Sequence, residues 1–273
     1  MKPKLSHKPR KRFGQNFLQD PFIIQKILEV VAPQPADKMV EIGPGLGALT
    51  KPLLSTIDHL DVIELDRDLA SQLQVTWGHT HKLTIHTADA LQFDFKTLMK
   101  SNTNTQKLRV IGNLPYNIST PLMFHLFKFC DLIEDMHFML QKEVVERLIA
   151  KPNNKQYGRL SIMAQYYCLP QYLFTVEGEA FHPMPKVQSA FVRLTPHQPL
   201  PFPAHNLKIL QTITRDAFNQ RRKTLSNALK AHLKIEDFEQ LGINPKLRPE
   251  VLSLSDFVQM SNYIHQHYPN KEI

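Results

Sequence analysis

A glycine-rich segment at residues 41–47 constrains the fold of this chain more than any other feature. It reads Glu-Ile-Gly-Pro-Gly-Leu-Gly and stands between a predicted strand, Met39–Ile42, and a helix predicted over residues 47–57. Its three glycines lack side chains where the backbone must turn sharply and a ligand must approach closely. The helix start offers free N–H groups to a carboxylate or a phosphate. With Ala48 the segment also satisfies G-x-G-x-x-A, so a dinucleotide competes with other nucleoside cofactors for this site.

Short apolar runs alternate with helical patterns along the first part of the chain. Six further strands are predicted, at Leu60–Leu65, Leu83–His86, Arg109–Ile111, His137–Leu140, Leu173–Val176 and Ala190–Leu194. Helices are predicted over residues 21–31, 67–77 and 121–130, the first with Asp20 as N-cap and Pro21 at its first position. Strands and helices in rotation indicate an α/β, Rossmann-like fold with a mostly parallel seven-stranded sheet covered on both faces.

A stretch of four prolines in eight residues, Pro196–Pro203, predicts a stiff linker. The sequence beyond it is helical in pattern, over residues 207–233, 236–241 and 255–266. We therefore expect two domains, an α/β domain at residues 1–198 and a small all-helical domain at residues 204–273.

The charge balance points to a polyanionic partner. The formal net charge is +8, and six of the first twelve residues are basic, in an N-terminal arm of residues 1–17. Nucleic acid and an anionic membrane surface both fit such a charge. No run of 18 apolar residues exists and the N-terminus is too polar for a secretory signal, so no membrane association is expected. The arm is either a solvated tail or a segment that becomes ordered on nucleic acid.

Cysteine and histidine usage bears on compartment and on metals. Cys130 and Cys168 are the only cysteines, which suits a reducing cytoplasm and excludes a disulfide framework. The 13 histidines are scattered without the HExxH spacing, so we expect no metal site.

Two acids follow successive predicted strands. Glu64 lies at the end of the second strand, where a carboxylate can accept hydrogen bonds from both ribose hydroxyls of a nucleoside cofactor. Asp89 follows the third strand, where it can accept from an adenine amino group. Beside a glycine loop these two acids indicate a nucleoside cofactor, and both NAD and S-adenosylmethionine fit.

Residues 112–117 read Gly-Asn-Leu-Pro-Tyr-Asn and follow the fourth predicted strand. Pro115 keeps Leu114 extended with its carbonyl available, Asn113 supplies a side-chain carbonyl, and Tyr116 supplies a flat face. The exocyclic amine of adenine is a poor nucleophile because its lone pair is delocalised into the ring. Two acceptors that grip its hydrogens favour a pyramidal nitrogen, while the tyrosine stacks on the flipped base. The tetrapeptide Asn113-Leu-Pro-Tyr116 therefore predicts methyl transfer to an adenine amine.

In the order of its motifs the sequence closely resembles the ribosomal RNA adenine dimethyltransferases, and within them the bacterial small-subunit enzymes. The resemblance covers nearly the whole chain. Its motifs are Phe13-Gly-Gln-Asn-Phe-Leu18, Glu41-Ile-Gly-Pro-Gly45, Glu64-Leu-Asp66, Asp89-Ala-Leu91, Asn113-Leu-Pro-Tyr116, Gln141-Lys-Glu-Val-Val-Glu-Arg147, Tyr157-Gly-Arg-Leu160, Phe181-His-Pro-Met-Pro-Lys-Val187 and Gln220-Arg-Arg-Lys-Thr-Leu225. Two places depart from the family pattern: Ala88 stands where the family usually has glycine, and the segment Lys151–Tyr157 differs.

The resemblance implies a class I methyltransferase domain that uses S-adenosylmethionine. The cofactor contacts it implies are Asn16, Leu18, Gly43, Glu64, Asp89 and Asn113. The target-base pocket it implies consists of Asn113, Leu114, Tyr116 and Phe181. It further implies N6,N6-dimethylation of two adjacent adenosines near the 3′ end of small-subunit rRNA, in the immature 30S particle, by a cytoplasmic monomer with a role in ribosome biogenesis.

The predicted second domain carries the basic triplet Arg221, Arg222 and Lys223, within a stretch of seven basic residues and one acid at residues 207–234. We expect this triplet to contact RNA phosphates, although a basic run on a helix is often only a solvated face. Two alternatives to the small-subunit methyltransferase remain at this stage. One is a ribosome-assembly binding factor in which methylation is secondary, and the other is a large-subunit adenine methyltransferase.

Overall fold

The computed structural model describes residues 10, 14–99 and 106–269. Most of the basic N-terminal arm therefore lies outside the described residues. The nine described strands are β1 Phe17–Leu18, β2 Lys38–Ile42, β3 Leu60–Glu64, β4 Leu83–Thr87, β5 Leu108–Asn113, β6 Ile133–Gln141, β7 Cys168–Val176, β8 Phe181–His182 and β9 Ser189–Pro196. The ten described α-helices are α1 Pro21–Val31, α2 Thr50–Thr56, α3 Arg67–Trp77, α4 Ser119–Leu126, α5 Lys142–Ile149, α6 Arg159–Tyr167, α7 Leu207–Asn219, α8 Leu225–Ala228, α9 Ile235–Gln240 and α10 Leu254–His267.

Seven strands form one sheet, in the order β4-β3-β2-β5-β6-β9-β7. The pairs β2–β3, β3–β4, β2–β5 and β5–β6 are parallel, and β9 runs antiparallel to β6. The expected Rossmann-like, mostly parallel seven-stranded sheet is confirmed. The chain moves outward from β2 through β3 to β4 and then returns to β5 on the other side of β2. Ligands bind at such a reversal of strand order, outside the carboxyl ends of the strands.

Local sequence explains the best-predicted element, α1. Asp20 caps it by accepting hydrogen bonds from the N–H groups of Phe22 and Ile23, and proline occupies its first turn. Its predicted bounds are confirmed. Its buried residues Ile27 and Val31 join the apolar core of the sheet domain.

Contacts divide the chain into two units. The first comprises residues 1–145 and Gln171–Pro196, and the second comprises Glu146–Pro170 and His197–Ile273. The last of the three divisions, between Pro196 and His197, falls at the start of the proline stretch in which the linker was expected. The structure differs from the expectation in the segment 146–170, which the sequence placed in the first domain. This segment belongs with the second unit because its apolar residues Tyr157, Ile162 and Tyr166 are buried in that unit's core.

Apart from the first residues of β7, the regular elements described in the second unit are helices. Buried side chains from α6, α7 and α10 share one core, with Leu210, Ile213 and Phe257 fully enclosed. The prediction of one helix over residues 207–233 is wrong, because α7 ends at Asn219 and α8 begins at Leu225. No apolar residue lies between Phe218 and Leu225, so the intervening residues have no buried face to hold a helix.

Candidate active site

A cavity of about 300 Å³ opens at the carboxyl ends of β2, β3 and β5. It lies at the reversal of strand order, and it is lined by the glycine loop, by residues 14–18 and by the segment after β5. Eight of the site residues expected from the sequence line it: Asn16, Leu18, Gly43, Glu64, Asp89, Asn113, Leu114 and Tyr116. Residues about 100 positions apart in the chain therefore meet in one cavity.

The glycine loop requires backbone conformations that residues with a side chain adopt only with strain. Gly47 has φ 81°, and a Cβ atom placed on it would lie 2.3 Å from the ring of Trp77. Gly45 has φ 57°, and its Cβ would lie 3.1 Å from the Phe17 ring. These two glycines let the loop turn at the cavity edge and let Phe17 and Trp77 pack closely against it.

Glu64 is buried, with 7% of its surface exposed, at the end of β3. Its Oε2 accepts a hydrogen bond from the Gly45 N–H at 3.1 Å, and its Oε1 accepts one from the Asp66 N–H at 2.9 Å. Burial raises the pKa of this carboxyl, and the two backbone donors partly oppose that shift. A carboxylate has about four lone-pair positions, and a further backbone hydrogen bond from Leu65 also acts on this group, so the carboxylate keeps acceptor capacity beyond its backbone donors.

A second buried acid, Glu41, lines the same cavity. Its Oε2 accepts from the Thr50 hydroxyl at 2.6 Å. Burial raises the pKa of Glu41 to about 8; the Thr50 hydrogen bond opposes this shift, and the nearby Glu64 adds to it. At neutral pH Glu41 is therefore mostly protonated, so the two neighbouring buried acids do not both carry full charge.

Asp89 follows β4, and its Oδ1 accepts from the Leu91 N–H at 2.9 Å, which leaves Oδ2 as an acceptor. The departure from the family pattern next to it, Ala88, also lines the cavity. The Ala88 N–H donates to the backbone carbonyl of Glu64 at 3.1 Å, so this position links the two acid-bearing strand ends.

Asn113, at the end of β5, has a defined amide orientation. Its Nδ2 donates to the backbone carbonyl of Asn16 at 2.9 Å, so its Oδ1 is left as a hydrogen-bond acceptor. The neighbouring Leu114 N–H donates to the Met139 carbonyl of β6 at 3.2 Å. The side-chain acceptor and the following peptide are thus both held by neighbouring backbone.

Tyr116 is half-buried, and its hydroxyl lies 2.6 Å from the hydroxyl of Ser189 at the start of β9. Burial raises the pKa of this tyrosine, and the hydrogen bond to Ser189 opposes that shift. The tyrosine therefore stays protonated at neutral pH and is not poised to act as a base.

Phe181, the fourth residue of the expected base pocket, does not line the cavity. It is 5% exposed and belongs to the apolar core of the first unit. Its strand β8 pairs with β1, with Leu18 opposite Phe181, so it lies next to a residue that does line the cavity. Its role in stacking on a base stays a prediction.

Residues 14–18 form a strap along the cavity, and the structure shows what fastens it. The side chain of Gln15 accepts from the Arg10 N–H at 2.8 Å and donates to Asp66 at 3.3 Å. Arg10 also binds Asp66, at 2.9 Å, and contacts Asp68. Sequence reasoning missed these contacts, because most of them join residues that are more than 50 positions apart. The only signal was that Gln15 lies inside a family motif.

The basic triplet lies in the second unit, on the turn between α7 and α8 and not on a helix. Arg221 donates to the Asn154 carbonyl at 3.3 Å, and its Nε lies 3.9 Å from the Glu250 carboxylate. Arg222 and Lys223 are exposed. The triplet therefore divides into one arginine engaged within the unit and two cations that face solvent.

A parallel sheet with a glycine loop after β2, an acid at the end of β3 and a polar tetrapeptide after β5 defines a Rossmann-like class I methyltransferase. The family model for ribosomal RNA adenine dimethylase matches residues 6–266. The chain therefore belongs to the ribosomal RNA adenine dimethylase family, as its motifs predict.

Curated relatives agree with this assignment. Ribosomal RNA small subunit methyltransferase A of Aliivibrio fischeri is 56% identical over 260 residues, which are 95% of this chain and 94% of that protein. The protein of the same name from Photobacterium profundum is 56% identical over 266 residues, which are 97% of both chains.

Two solved structures share the fold. A dimethyladenosine transferase from Plasmodium falciparum has a TM-score of 0.76 and 24% identity, and the match covers 89% of this chain and 95% of that one. The 23S rRNA methyltransferase ErmE has a TM-score of 0.67 and 20% identity, and the match covers 92% of this chain and 100% of that one.

Within residues 10, 14–99 and 106–269, no helix has the length and apolarity that a membrane span requires. In the same ranges, no group of three or more His, Cys, Asp or Glu side chains is arranged to hold a metal ion.

Proposed function

We propose that this chain transfers methyl groups from S-adenosylmethionine to N6 of two adjacent adenosines near the 3′ end of small-subunit rRNA. The acceptor is the immature 30S particle in the cytoplasm, and the enzyme acts as a monomer during ribosome biogenesis. The family assignment and the name shared by the curated relatives support the reaction and the subunit. The observation that carries the proposal is the Asn113 amide, whose nitrogen is engaged by Asn16 and whose oxygen is left to accept.

The residues around the cavity fit the cofactor. Glu64 lines the cavity and keeps acceptor capacity beyond its backbone donors, which suits a carboxylate that accepts from ribose hydroxyls. Asp89 retains Oδ2 for an adenine amino group. The positive-φ glycines remove the side chains that would fill the space beside them. S-adenosylmethionine supplies an electrophilic methyl group carried on a sulfonium.

The chain's own contribution to the chemistry is to hold the amine. Asn113 Oδ1 and the Leu114 carbonyl would accept the two N6 hydrogens, which favours a pyramidal nitrogen with its lone pair directed at the methyl group. After one transfer a single hydrogen remains, and one acceptor suffices for the second. The ammonium product is acidic enough to lose its proton to water, so no strong base is required.

Phosphate contacts would supply affinity for the RNA. Arg222 and Lys223 are the exposed members of the basic triplet, and cations in this position bind phosphate without reading sequence. The flipped adenine and local RNA shape would then decide which nucleotides react.

Methyl transfer to undermethylated 30S subunits, followed by mass mapping of the modified nucleotides, tests the proposal. We expect two adjacent dimethyladenosines. Binding without any methyl transfer would instead favour the assembly factor, and transfer only to naked large-subunit RNA would favour the large-subunit enzyme.

A further inference from the structure

The tyrosine of the tetrapeptide is held at both of its ends. Its backbone carbonyl accepts a hydrogen bond from the Ser119 hydroxyl at 2.9 Å. Its phenolic oxygen lies 2.6 Å from the Ser189 hydroxyl. The phenolic oxygen lies on the long axis of the ring, so fixing it restricts χ1 and the direction of that axis. Because a phenol hydroxyl prefers the plane of its own ring, the same hydrogen bond also favours one ring orientation about χ2. Ser119 therefore holds the backbone from which the Tyr116 side chain extends, and Ser189 holds the ring itself.

Ser189 is itself rigidly placed. It is fully buried, with 0% of its surface exposed, and it pairs with Gln141 in the β6–β9 ladder. The preceding residue, Gln188, accepts from the Lys142 N–H at 3.0 Å through its carbonyl. The Ser189 hydroxyl is thus a fixed point in the sheet, and the Tyr116 phenol is fastened to it.

We propose that Ser189 is a positioning residue for methyl transfer, whose hydroxyl holds the Tyr116 ring at the angle at which the target adenine stacks. This inference rests on the proposed function, because it concerns the base that is methylated. A stacked base inherits the plane of the ring beneath it, so an error in that plane moves the amine away from its two acceptors. Such misplacement is costly in enzymes even when all groups remain present.

A simpler alternative is that the target base needs only an aromatic face at position 116, whatever the orientation of the ring. Phenylalanine offers the same flat face as tyrosine but has no hydroxyl to reach Ser189. If only the face matters, Tyr116→Phe is harmless. If the plane matters, Tyr116→Phe and Ser189→Ala remove the same interaction and have the same effect.

The other alternative is that the hydrogen bond between Tyr116 and Ser189 only stabilises the fold. Buried tyrosine hydroxyls usually find a partner, and losing that partner lowers stability without touching catalysis. The first unit contains a matched control, because the Tyr172 hydroxyl lies 2.6 Å from the Thr175 hydroxyl on β7 and neither residue lines the cavity. Tyr172→Phe and Thr175→Val break the same kind of bond elsewhere.

The experiment measures kcat, KM, cofactor affinity and the melting temperature of the full-length protein and its variants. The acceptor is whichever of undermethylated 30S subunits and naked large-subunit RNA the wild type methylates. We expect Ser189→Ala and Tyr116→Phe each to lower kcat about tenfold, the scale of one hydrogen bond, with cofactor affinity unchanged. The double variant should be no slower than either single one. The Tyr172 and Thr175 controls should keep wild-type kcat.

Lower melting temperatures with wild-type kcat in Ser189→Ala would overturn the proposal in favour of a structural role. Losses that multiply in the double variant would overturn it as well, since the two residues would then act independently. A wild type that methylates only large-subunit RNA refutes the proposed function, and the variant ratios on that RNA still decide the role of Ser189.

Discussion

The cavity of the first unit and the basic turn of the second unit are built in contrasting ways. In the cavity the side chains of Glu64 and Asn113 are held in place, because Glu64 accepts from two backbone N–H groups and Asn113 donates to Asn16. On the turn, Arg222 and Lys223 are exposed cations, whereas Arg221 contacts its own unit through its side chain. Chemistry on a weak nucleophile needs fixed geometry, whereas phosphate binding needs mainly charge within reach. The two regions should therefore respond to different perturbations.

The largest expected effect tests whether the cavity depends on the fixed geometry of its side chains. Asn113→Ala should lower kcat by about 10²–10³-fold, the loss seen when one well-placed hydrogen-bonding group is removed from an active site. RNA affinity should stay close to that of the wild type, because we propose that phosphate contacts elsewhere supply it. Turnover at saturating cofactor, together with RNA binding, checks this. Asn113→Asp is the matched variant: it keeps the size but places an oxygen against the Asn16 carbonyl, so it should also be slow. A fast Asn113→Ala variant would contradict the role.

The same contrast separates what could be predicted from the sequence and what could not. The glycine loop, α1 and the strand-end acids were predictable because each depends on neighbouring residues, as in the capping of α1 by Asp20. The β1–β8 pair was not, because strands of two residues show no periodicity. The Tyr116–Ser189 and Arg10–Asp66 contacts join distant positions through the fold alone.

The prediction that the basic triplet lies within one long helix was wrong for a physical reason as well. Its residues have good helix propensity, but a helix needs a buried face, and residues 219–224 contain no apolar side chain. Similarly, nothing local tells which core α6 joins, since Ile162 and Tyr166 suit either one. Local patterns thus predict elements well, and tertiary burial decides where the elements end and which core they enter.

The second prediction tests how the cavity binds its cofactor. Glu64→Ala should weaken S-adenosylmethionine binding by about 1.5–3 kcal/mol, the range for hydrogen bonds to a charged group. Calorimetric titration measures this affinity. Glu134→Ala removes an exposed acid from the same unit and should leave the affinity unchanged. Wild-type affinity in a folded Glu64→Ala variant would remove Glu64 from the site.

The third prediction tests whether the basic turn of the second unit binds RNA through its charge. Replacing Arg222 and Lys223 with Gln should flatten the slope of log affinity against log salt by roughly 1.4–1.8, because each phosphate contact contributes roughly 0.7–0.9. Cofactor affinity should not change. Arg221→Gln alone should change the slope less, because Arg221 is engaged with Asn154 and Glu250. Binding to immature small subunits at several salt concentrations decides. An unchanged slope in the double variant would leave the N-terminal arm, residues 1–17, as the candidate phosphate contact.

The last prediction concerns the charge of Glu41. Burial in the cavity suppresses this charge, whereas Arg222 and Lys223 on the turn keep theirs in solvent. Its pKa is raised from 4.5 to about 8 in the folded protein, so between those values the folded state keeps a proton that the unfolded state has released. Stability is therefore lost as the pH rises through this window, and the loss levels off above it. Glu41→Gln imitates the protonated acid and can still accept from Thr50. Its melting temperature should exceed that of the wild type by a margin that widens from about pH 5 to about pH 8. Salt should affect this margin little, because the group is buried, with 2% exposure. A margin that stays constant with pH would show that Glu41 is already ionised at the lower pH, and the buried acids of the cavity would then both carry charge.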